Sequence, residues 1–392
     1  MTKFTRYYRC LTTLLLMLLA ATAKGQSTGK PGLEYYDSVE ISLITCSPHE
    51  EIYSLYGHTA LRYNDWHTKR DLVMNWGVFN IDEPYFIPRF VLGMTDYMLG
   101  AIPMKYFCAY YRKWGSEVSE QVLNLTTVEK ARIAYAIAEN LLPQNVTYRY
   151  NIFYDNCSTR PRDIVERNLE GRVIWAERPG FEPSFREMTR EMTAHHDWAT
   201  MGNDLLLGVK ADLRTTRQEQ EFLPCNLQYD FDHAQVYANG EYRPLVRERR
   251  TLVPAGVQMV KKDFPLSPTD CGIILLLIGL GLFLVEWKRR RCFVWFDALL
   301  MLPMGIAGCL LLVMLFSQHP TTSTNLQILL LHPLHLIFLP AVVRRRKTRY
   351  WNVMVTLTLL FCLGGIWQHY AEGTAFLALS LLLRYWSHLH ND

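Results

Sequence analysis

The chain divides into two parts with different patterns of apolar and polar residues. Residues 26–265 mix apolar and polar positions as a globular domain does. Beyond them, long apolar runs alternate with short polar loops. The first four of these runs are long enough to cross the apolar core of a bilayer, which is about 30 Å thick. The pattern predicts a globular domain at 26–265 and a C-terminal transmembrane domain of about five helices at 271–387, whose apolar segments are 271–287, 294–316, 326–343, 350–367 and 374–387.

Charged loops predict how the apolar segments are oriented. The sequences WKRRR after the first segment and RRRKTR after the third are basic, and short basic loops stay on the cytoplasmic side of a membrane. The loops 317–325 and 368–373 contain no Lys or Arg, so we expect them to face outward. This orientation places the globular domain outside the cytoplasm.

A few ionisable residues interrupt the apolar segments. Glu286 and Asp297 lie near the predicted cytoplasmic ends, where we expect them at the membrane interface. Arg384 lies in the short fifth segment, so its side chain is predicted to extend to the interface. His332 and His335 are three residues apart on one face of a helix. A hydrogen bond between packed helices is their expected role, and proton or metal binding is the alternative.

The N-terminus has the composition of a secretory signal peptide. Three basic residues within the first nine positions precede an apolar stretch from 11 to 21, which ends in the small-residue sequence Ala-Thr-Ala. The apolar stretch is too short to span a bilayer. We therefore expect a signal peptide of residues 1–23 that is cleaved after Ala23. An uncleaved N-terminal anchor is the alternative.

The remaining composition excludes several classes of function. The formal net charge is +4, and much of the basic excess lies in the two loops beside apolar segments, so no nucleic-acid-binding surface is predicted. Nine cysteines are present without a Cys-x-x-Cys pair or a zinc-like spacing of Cys and His. We expect no metal and no cofactor. An oxidising compartment would permit disulfides among Cys46, Cys108 and Cys225, and the sequence does not decide their pairing.

Alternation and helical spacing predict an α+β domain with a small antiparallel sheet. A polar turn between two apolar runs indicates a β-hairpin, and amphipathic spacing indicates a helix. The predicted strands are 38–46, 58–63, 71–79 and 147–153, and the predicted helices are 128–142 and one that begins with Ser158 and Thr159 as caps and ends near Leu169. We expect residues 254–270 to be the linker into the membrane.

Cys157 lies at the predicted start of the helix that follows the sequence YDN. The positive end of a helix dipole lowers the pKa of a thiol and favours the nucleophilic thiolate. The first N–H groups of the same helix can bind an oxyanion. These features predict a nucleophile, and a buried structural cysteine is the alternative.

His58 is a candidate base for that thiol, because a nucleophilic cysteine needs a base within hydrogen-bonding distance. It begins the strand HTALRY directly after a glycine. A base in turn needs a group that orients its ring. A hairpin centred in the turn 64–70 places Asn75 opposite His58, about 5 Å away. Asn80 and Asp82 are alternatives if the register differs by a residue or two.

These motifs resemble a known family. GHTALR followed by a strand–NCST–helix unit is similar to circularly permuted papain-like folds, in which the histidine strand precedes the cysteine helix, as in the lecithin:retinol acyltransferase group. More specifically, TCSPHEEIYSLYGHTALRY, YDNCSTRPRD, GNDLLLG and an FLP segment resemble the Lnb-type lipoprotein N-acyltransferase family. The resemblance covers most of residues 38–235, and His58 and Cys157 match the family's histidine and cysteine. This chain has Pro48-His49 where such proteins often carry Pro-Gly; we expect a loop histidine there rather than a second base.

The resemblance implies a two-step acyl transfer at the inner membrane of a bacterium, with the catalytic domain in the periplasm. Cys157, activated by His58, would take an acyl chain from a membrane phospholipid and hold it as a thioester. The α-amine of a diacylglyceryl-cysteine at a lipoprotein N-terminus would then attack the thioester. Arg62, Arg160 and Arg162 are candidates for binding the phospholipid phosphate, and structural ion pairs are the alternative for each.

Two other functions remain open at this point. A membrane-anchored cysteine peptidase or amidase, acting on the cell wall or on lipoproteins, would use the same Cys157 and His58 but pass the acyl group to water. Five predicted spans exceed what an anchor needs, which favours a lipid substrate. A non-catalytic sensor or assembly subunit would keep its activity after Cys157→Ser, and the absence of a recognisable cytoplasmic output domain weighs against a sensor.

Overall fold

Two antiparallel sheets form the framework of the N-terminal domain. The structure is a computed structural model that describes residues 32–258 and 264–391. The predicted signal peptide lies outside these ranges. The strands are β1 (Val39–Cys46), β2 (His58–Asp65), β3 (Arg70–Val78), β4 (Asp96–Pro103), β5 (Val118–Leu123), β6 (Thr147–Arg149), β7 (Arg172–Ile174), β8 (Gln235–Ala238), β9 (Glu241–Pro244) and β10 (Val246–Val253). The larger sheet has the strand order β10-β5-β1-β2-β3-β4-β6, and the smaller one has the order β7-β8-β9.

Eight helices of this domain surround the sheets. They are α1 (Phe86–Val91), α2 (Met104–Trp114), α3 (Thr127–Asn140), α4 (Thr159–Asn168), α5 (Phe185–Met192), α6 (Asp197–Leu206), α7 (Arg217–Gln220) and α8 (Pro224–His233). One face of the larger sheet packs against α3, α4 and α8, and the opposite face packs against α2. The domain is therefore a mixed α/β unit, as the sequence predicted.

Both faces of the central strands are buried, which explains their apolar sequences. Leu61 and Trp76 face α3 and α4, whereas Ala60 and Val73 face α2, and all four side chains are fully buried. A strand that is covered on both faces needs apolar residues at successive positions rather than at alternate ones. The sheet that was predicted to be small in fact has seven strands. Outer strands such as β10, with the sequence VRERRTLV, are not recognisable from the sequence because they contain many charged residues.

The predicted strand 147–153 is wrong beyond Arg149, where β6 ends. The chain turns instead, and Asn151 forms an isolated β-bridge with Asp155. The Asn151 side-chain oxygen accepts hydrogen bonds from the N–H groups of Phe153 and Tyr154. Asparagine side chains stabilise turns in this way. The turn delivers the chain to Cys157 at the end of the sheet.

Five helices follow in the C-terminal part of the chain. Three segments are long and apolar enough to cross a membrane, namely Pro268–Arg289, Val294–Met314 and Leu326–Val343. Glycines allow close helix packing here: a Cβ at Gly279 would lie 2.4 Å from Ser380 Oγ. The helices are α9 (Pro268–Arg289), α10 (Val294–Met314), α11 (Leu334–Val343), α12 (Tyr350–Gly364) and α13 (Thr374–Asn391).

The third apolar segment has the predicted bounds but is not α-helical throughout, and the helix of the fourth segment is shorter than predicted. Segment 326–343 begins with a 3₁₀ turn at Leu326–Leu329 and becomes α-helical only from Leu334. Pro333 interrupts the helix because it lacks an N–H donor and disfavours helical backbone in the residue before it. Helix α12 has 15 residues and is only about 22 Å long, so it is shorter than the bilayer core.

Glu286, Asp297 and Arg384 pair with one another inside the helix bundle, a partnership that the sequence does not predict. Arg384 donates to both carboxylates at 2.6 to 3.1 Å, and each of the three residues is at most 3% exposed. His388 bonds Asp297 at 2.7 Å, and Ser387 donates to Glu286 at 2.6 Å. The sequence gives no sign of this cluster because its members come from α9, α10 and α13.

His335 forms the expected hydrogen bond between packed helices. Its Nδ1 lies 2.6 Å from the hydroxyl of Tyr350 on α12, and its Nε2 lies 3.0 Å from the Leu330 carbonyl oxygen. His332 accepts a hydrogen bond from the Leu334 N–H on its own segment. His335 therefore contributes to helix packing, whereas the side-chain bond of His332 is local.

The segment GNDLLLG, residues 202–208, joins the α/β domain to the outward loops of the helical domain. Buried Gln327 donates to the Asp204 carbonyl oxygen at 2.8 Å, and buried Gln368 donates to the Leu207 carbonyl oxygen at 3.0 Å. The Gly208 N–H donates to Thr321 at 2.8 Å. The loops 317–325 and 368–373 therefore lie on the side of the α/β domain, and the basic loops lie at the other end, where Arg345 donates to Cys292.

We predict that Gly208→Ala will loosen this junction. A Cβ at Gly208 would lie 2.2 Å from the Thr324 carbonyl oxygen, which is backbone and cannot easily move. We expect a destabilisation of about 1–3 kcal/mol, measured as a lower thermal midpoint of the full-length chain. Gly202→Ala is the matched control, because open space surrounds Gly202 within helix α6. Its thermal midpoint should stay equal or rise, since alanine favours a helix. Equal midpoints for the two variants would contradict the prediction.

Candidate functional site

Gly57 sets the position of His58 at the start of β2. Its φ is +74°, and a Cβ there would lie 2.8 Å from the Cys46 carbonyl oxygen. Only glycine adopts this backbone conformation without strain so close to another strand. The chain therefore enters β2 with His58 opposite Cys46 on β1, and the imidazole lies beside Phe107 and Tyr111 of α2.

Asn75 contacts His58 although the hairpin register differs from the prediction. Leu61 pairs with Met74, which shifts the register by two residues from the predicted one. A shift of two keeps every side chain on the same face of the sheet, so Asn75 still points to the face of His58. The His58 Nε2–H donates to Asn75 Oδ1 at 2.6 Å. Asn80 and Asp82 lie in the exposed segment after β3.

Asn156 shapes the turn that carries Cys157. Its Oδ1 accepts hydrogen bonds from the N–H groups of Ser158 and Thr159 at 2.8 and 2.9 Å. Its amide group donates to the carbonyl oxygens of Ile152 and Phe222 at 2.7 and 2.9 Å. The helix cap is thus the side chain of Asn156, and Ser158 makes no side-chain cap bond. Cys157 is held two residues before the first residue of α4.

Cys157 and His58 form a hydrogen-bonded pair. Because His58 Nε2 bonds Asn75, its other nitrogen is the one available to the sulfur. Burial lowers the pKa of His58, but the neighbouring Cys157 and the bond to Asn75 raise it above its ordinary value overall. Burial raises the pKa of Cys157, but His58 lowers it below its ordinary value overall. The opposite shifts of the two pKa values favour a thiolate–imidazolium pair.

Two further groups stabilise the thiolate, and sequence reasoning missed both. The Thr59 N–H and the Ser158 hydroxyl donate to the sulfur and lower the pKa of Cys157. The hydroxyls of Thr59 and Ser158 lie 2.9 Å apart and are buried. Since Ser158 donates to the sulfur, Thr59 donates to Ser158. The adjacency of each residue to His58 or Cys157 was the only signal in the sequence.

The expected oxyanion donors at the helix start are occupied. The N–H groups of Ser158 and Thr159 bond Asn156, and the Arg160 N–H bonds the Asn156 carbonyl oxygen. Among the described N–H groups from 155 to 160, that of Cys157 alone has no intramolecular acceptor. The backbone N–H of Cys157 itself is therefore available to donate a hydrogen bond to an oxyanion.

The three arginines predicted to bind phosphate are held by carboxylates. Arg62 pairs with Asp71 and Glu120 within the sheet. Arg160 forms two hydrogen bonds to Asp155, and buried Arg162 pairs with Asp163 and Glu221. A guanidinium that is saturated by carboxylates offers few donors to a phosphate. The structure thus brings Cys157, His58 and Asn75 together and leaves these arginines in structural ion pairs.

No disulfide or metal cluster occurs in the part of the chain that the structure describes. All eight described cysteines are free, including Cys46, Cys108 and Cys225. Groups of three His, Cys, Asp or Glu side chains with metal-binding geometry are absent from the same residues. His49 is buried and stacks on Trp114 with ring centroids 4.8 Å apart. The chemistry of the site therefore depends on the thiol and its hydrogen-bond partners.

The site lies between two attachments to the helical domain. On one side, the Gly256 N–H in the linker donates to the Gly115 carbonyl oxygen just after α2. On the other side, the Gln318 N–H donates to the Leu92 carbonyl oxygen at 2.9 Å, just after α1. In addition, the Asn203 side chain in the junction segment 202–208 donates to the hydroxyl of Tyr56, two residues before His58, at 2.9 Å. The segment that leads to His58 therefore contacts the junction with the helical domain.

We predict that Asn75→Ala will weaken the reactivity of Cys157. The imidazolium would lose a hydrogen bond of the charged type, which contributes about 1.5–3 kcal/mol, so the alkylation rate of Cys157 near neutral pH should fall roughly tenfold or more. Asn75→Asp keeps an oxygen acceptor for His58 and should retain most of the rate. If both variants lose the rate equally, Asn75 does not act through His58. Peptide mass spectrometry of the alkylated full-length chain measures the effect.

The fold and site define a membrane protein with an α/β domain outside the bilayer that carries a Cys–His–Asn arrangement. The chain belongs to the Lnb family. The Lnb N-terminal periplasmic domain matches residues 34–188, and the Lnb transmembrane domain matches residues 260–391. The predicted family is thus confirmed, and membership indicates an enzyme of lipoprotein processing whose α/β domain is periplasmic. No curated protein and no solved structure matches the chain.

Proposed function

We propose that this protein is a lipoprotein N-acyltransferase of the bacterial inner membrane. It would move a fatty acyl chain from a phospholipid to the α-amine of a diacylglyceryl-cysteine, with Cys157 as nucleophile, His58 as base and acid, and Asn75 as the group that orients His58. The observation that carries the proposal is the Cys157–His58–Asn75 arrangement with its opposite pKa shifts, located where the domain meets the helices.

In the first step the Cys157 thiolate attacks the ester carbonyl of the phospholipid. The carbonyl oxygen becomes an oxyanion, which the Cys157 N–H stabilises. The C–O bond then breaks, and the leaving lysophospholipid oxygen takes the proton of the His58 imidazolium. The products are a thioester on Cys157, a neutral His58 and a lysophospholipid.

In the second step the lipoprotein α-amine attacks the thioester. Neutral His58 accepts the proton that the amine loses as the C–N bond forms. The C–S bond breaks, and the thiolate returns to the stabilising environment of Thr59 and Ser158. The products are an N-acylated lipoprotein and the original thiolate–imidazolium pair, so no cofactor is consumed.

The histidine strand precedes the cysteine helix along the chain, which supports a circularly permuted papain-like arrangement of the domain. His58 begins β2, and Cys157 precedes α4 about a hundred residues later. In this arrangement the strand supplies the base and the helix start supplies the nucleophile. The location of the site beside the membrane helices supports a lipid donor over a cell-wall substrate.

The test is expression of the full-length chain in cells depleted of their own lipoprotein N-acyltransferase. We expect wild type to add one fatty acyl mass to lipoprotein N-terminal peptides, as measured by mass spectrometry. Cys157→Ala should add none, and Cys225→Ala, which removes an exposed cysteine on α8, should behave as wild type. Acylation by Cys157→Ala, or unmodified lipoproteins with correctly inserted wild type, would overturn the proposal. Release of free fatty acid instead of lipoprotein acylation would indicate a hydrolase.

A further inference from the structure

Exposed apolar side chains lie in the short segment before His58 and in the segment from the end of β3 through α1. We call Tyr53, Phe79, Ile81, Tyr85 and Phe90 the aromatic surface. Their exposed fractions run from 36% to 80%. Ring contacts link Tyr53 to Phe79 at 6.2 Å, and Phe86 continues the series to Phe90. Such large exposed apolar patches on a protein mark a surface that binds a partner.

The aromatic surface passes the nucleophile. Phe79 follows Gly77 by two residues, and a Cβ at Gly77 would be in van der Waals contact with the Cβ of Cys157, at 3.8 Å. Tyr53 lies in the short segment between β1 and His58, and it is hydrogen-bonded to Tyr110 of α2. An apolar chain lying on this surface would therefore have its end close to the thiolate.

The other end of the aromatic surface reaches the membrane helices. Phe90 contacts His319 at 6.1 Å between ring centroids. The Ser317 hydroxyl donates to the Val91 carbonyl oxygen at 2.9 Å, three residues after α10 ends at Met314. The surface is thus continuous with the outer end of the helical domain. This continuity favours a membrane lipid over a soluble protein as its occupant.

The outer face of α2, the helix that covers His58, carries positive charge without carboxylate partners. Lys105, Arg112 and Lys113 are exposed, and none of them forms an ion pair with any carboxylate in residues 32–258 or 264–391. Tyr106 and Tyr110 lie between them and are 56% and 42% exposed. Tyrosines interspersed with cations are typical of helices at a membrane interface, where the cations attract anionic headgroups. The inner face of α2 covers His58.

We propose that the aromatic surface and the three α2 cations together hold one membrane phospholipid. Its acyl chain lies along the aromatic surface, and its phosphate lies at the α2 cations. The ester of the lipid bound in this way would lie between the two parts, at the Cys157–His58 pair. The identification of this lipid as the acyl donor rests on the proposed function, whereas the binding surface itself does not.

Photo-crosslinking of the full-length Cys157→Ala variant tests the surface. The protein is placed in nanodiscs of phosphatidylethanolamine and phosphatidylglycerol, with a phosphatidylglycerol probe that carries a diazirine in its acyl chain. We expect labelled peptides from residues 79–94 in addition to the membrane helices. Adding Ile81→Ser and Tyr85→Ser should lower the label in that segment roughly tenfold, because two apolar side chains that contact the chain are lost.

A neutral diacylglycerol probe with the same diazirine tests the phosphate contact. It should label residues 79–94 less than the phosphatidylglycerol probe does. Replacing Lys105, Arg112 and Lys113 by Gln should reduce the phosphatidylglycerol label to the diacylglycerol level. The matched control is Trp66→Ser with Lys69→Gln, which removes an exposed aromatic residue and a cation at the far end of the β2–β3 hairpin. It should leave the labelling unchanged.

The outcomes separate the surface from the proposed function. Any of three results would overturn the proposed lipid-binding surface. These are labelling confined to the membrane helices, labelling that the serine variants leave unchanged, and equal labelling by the two probes. Wild-type thioester formation from phospholipid is measured separately by mass spectrometry. Labelling of 79–94 without any thioester would support the surface and contradict the proposed function. A thioester without labelling of 79–94 would support the proposed function and contradict the surface.

Discussion

His58→Ala should lower the rate of Cys157 alkylation at pH 7 by roughly a hundredfold. Burial raises the pKa of Cys157, and His58 lowers it more than Thr59 and Ser158 do. Without it burial dominates, so the thiol pKa should rise above its ordinary value of about 8.5. Each unit of rise reduces the thiolate fraction about tenfold near neutral pH, and only the thiolate reacts with iodoacetamide.

The alkylation rate of Cys157 should depend on pH differently in wild type and in His58→Ala. In wild type the lowered pKa of Cys157 keeps the thiolate populated as pH falls through the ordinary thiol range. The rate should therefore stay high there and decline only below the lowered pKa. The raised pKa of His58 keeps the imidazolium present until pH rises through that value. In His58→Ala the rate should already fall as pH drops through the range of an ordinary or buried thiol.

A histidine in the same hairpin provides the control. His67 lies in the exposed turn between β2 and β3, at the opposite end of β2 from His58. His67→Ala should react like wild type at every pH. Rates are read from the peptide that contains Cys157, because other cysteines of the full-length chain also react. A wild-type profile for His58→Ala would show that His58 does not control the thiol and would remove the basis of the proposed mechanism.

The elements that carry the site were predictable because their signals are local. Two apolar runs around a polar turn predict the β2–β3 hairpin. The amphipathic spacing of 128–142 predicts helix α3 with both ends correct to within two residues. Asn75 was found despite the wrong register because a shift by two residues preserves the face of the sheet. A shift by one would have pointed Asn75 away from His58.

Contacts between distant parts of the chain were not predictable. The Asn156 side chain also donates to the Phe222 carbonyl oxygen, 66 residues away, and nothing in the sequence near Asn156 indicates that contact. The carboxylates that occupy Arg62 and Arg162 are likewise on other elements. An arginine near a reactive cysteine looks like an anion-binding group until its partners are known. Sequence patterns report periodicity along one element and carry no information about which elements meet.

The buried charge cluster of the helical domain shows the same limit and leads to the second prediction with a large expected effect. Arg384→Met should leave full-length protein that no longer folds stably in detergent. The variant removes the partner of Glu286 and Asp297, which are 0% and 3% exposed. Leaving buried charges without their partner costs about 3–5 kcal/mol, a large share of the stability of a typical domain.

Three variants separate loss of charge pairing from loss of packing. Arg344→Met removes an exposed arginine from the basic loop after α11 and should keep the wild-type thermal midpoint, as followed by fluorescence-detected size exclusion. Adding Glu286→Gln and Asp297→Asn to Arg384→Met should restore part of the lost midpoint, because the amides carry no charge to bury. Arg384→Met alone with a midpoint within about 2 °C of wild type would contradict the argument. Since the cluster joins α9, α10 and α13 at the end remote from the α/β domain, its loss should separate these helices there first.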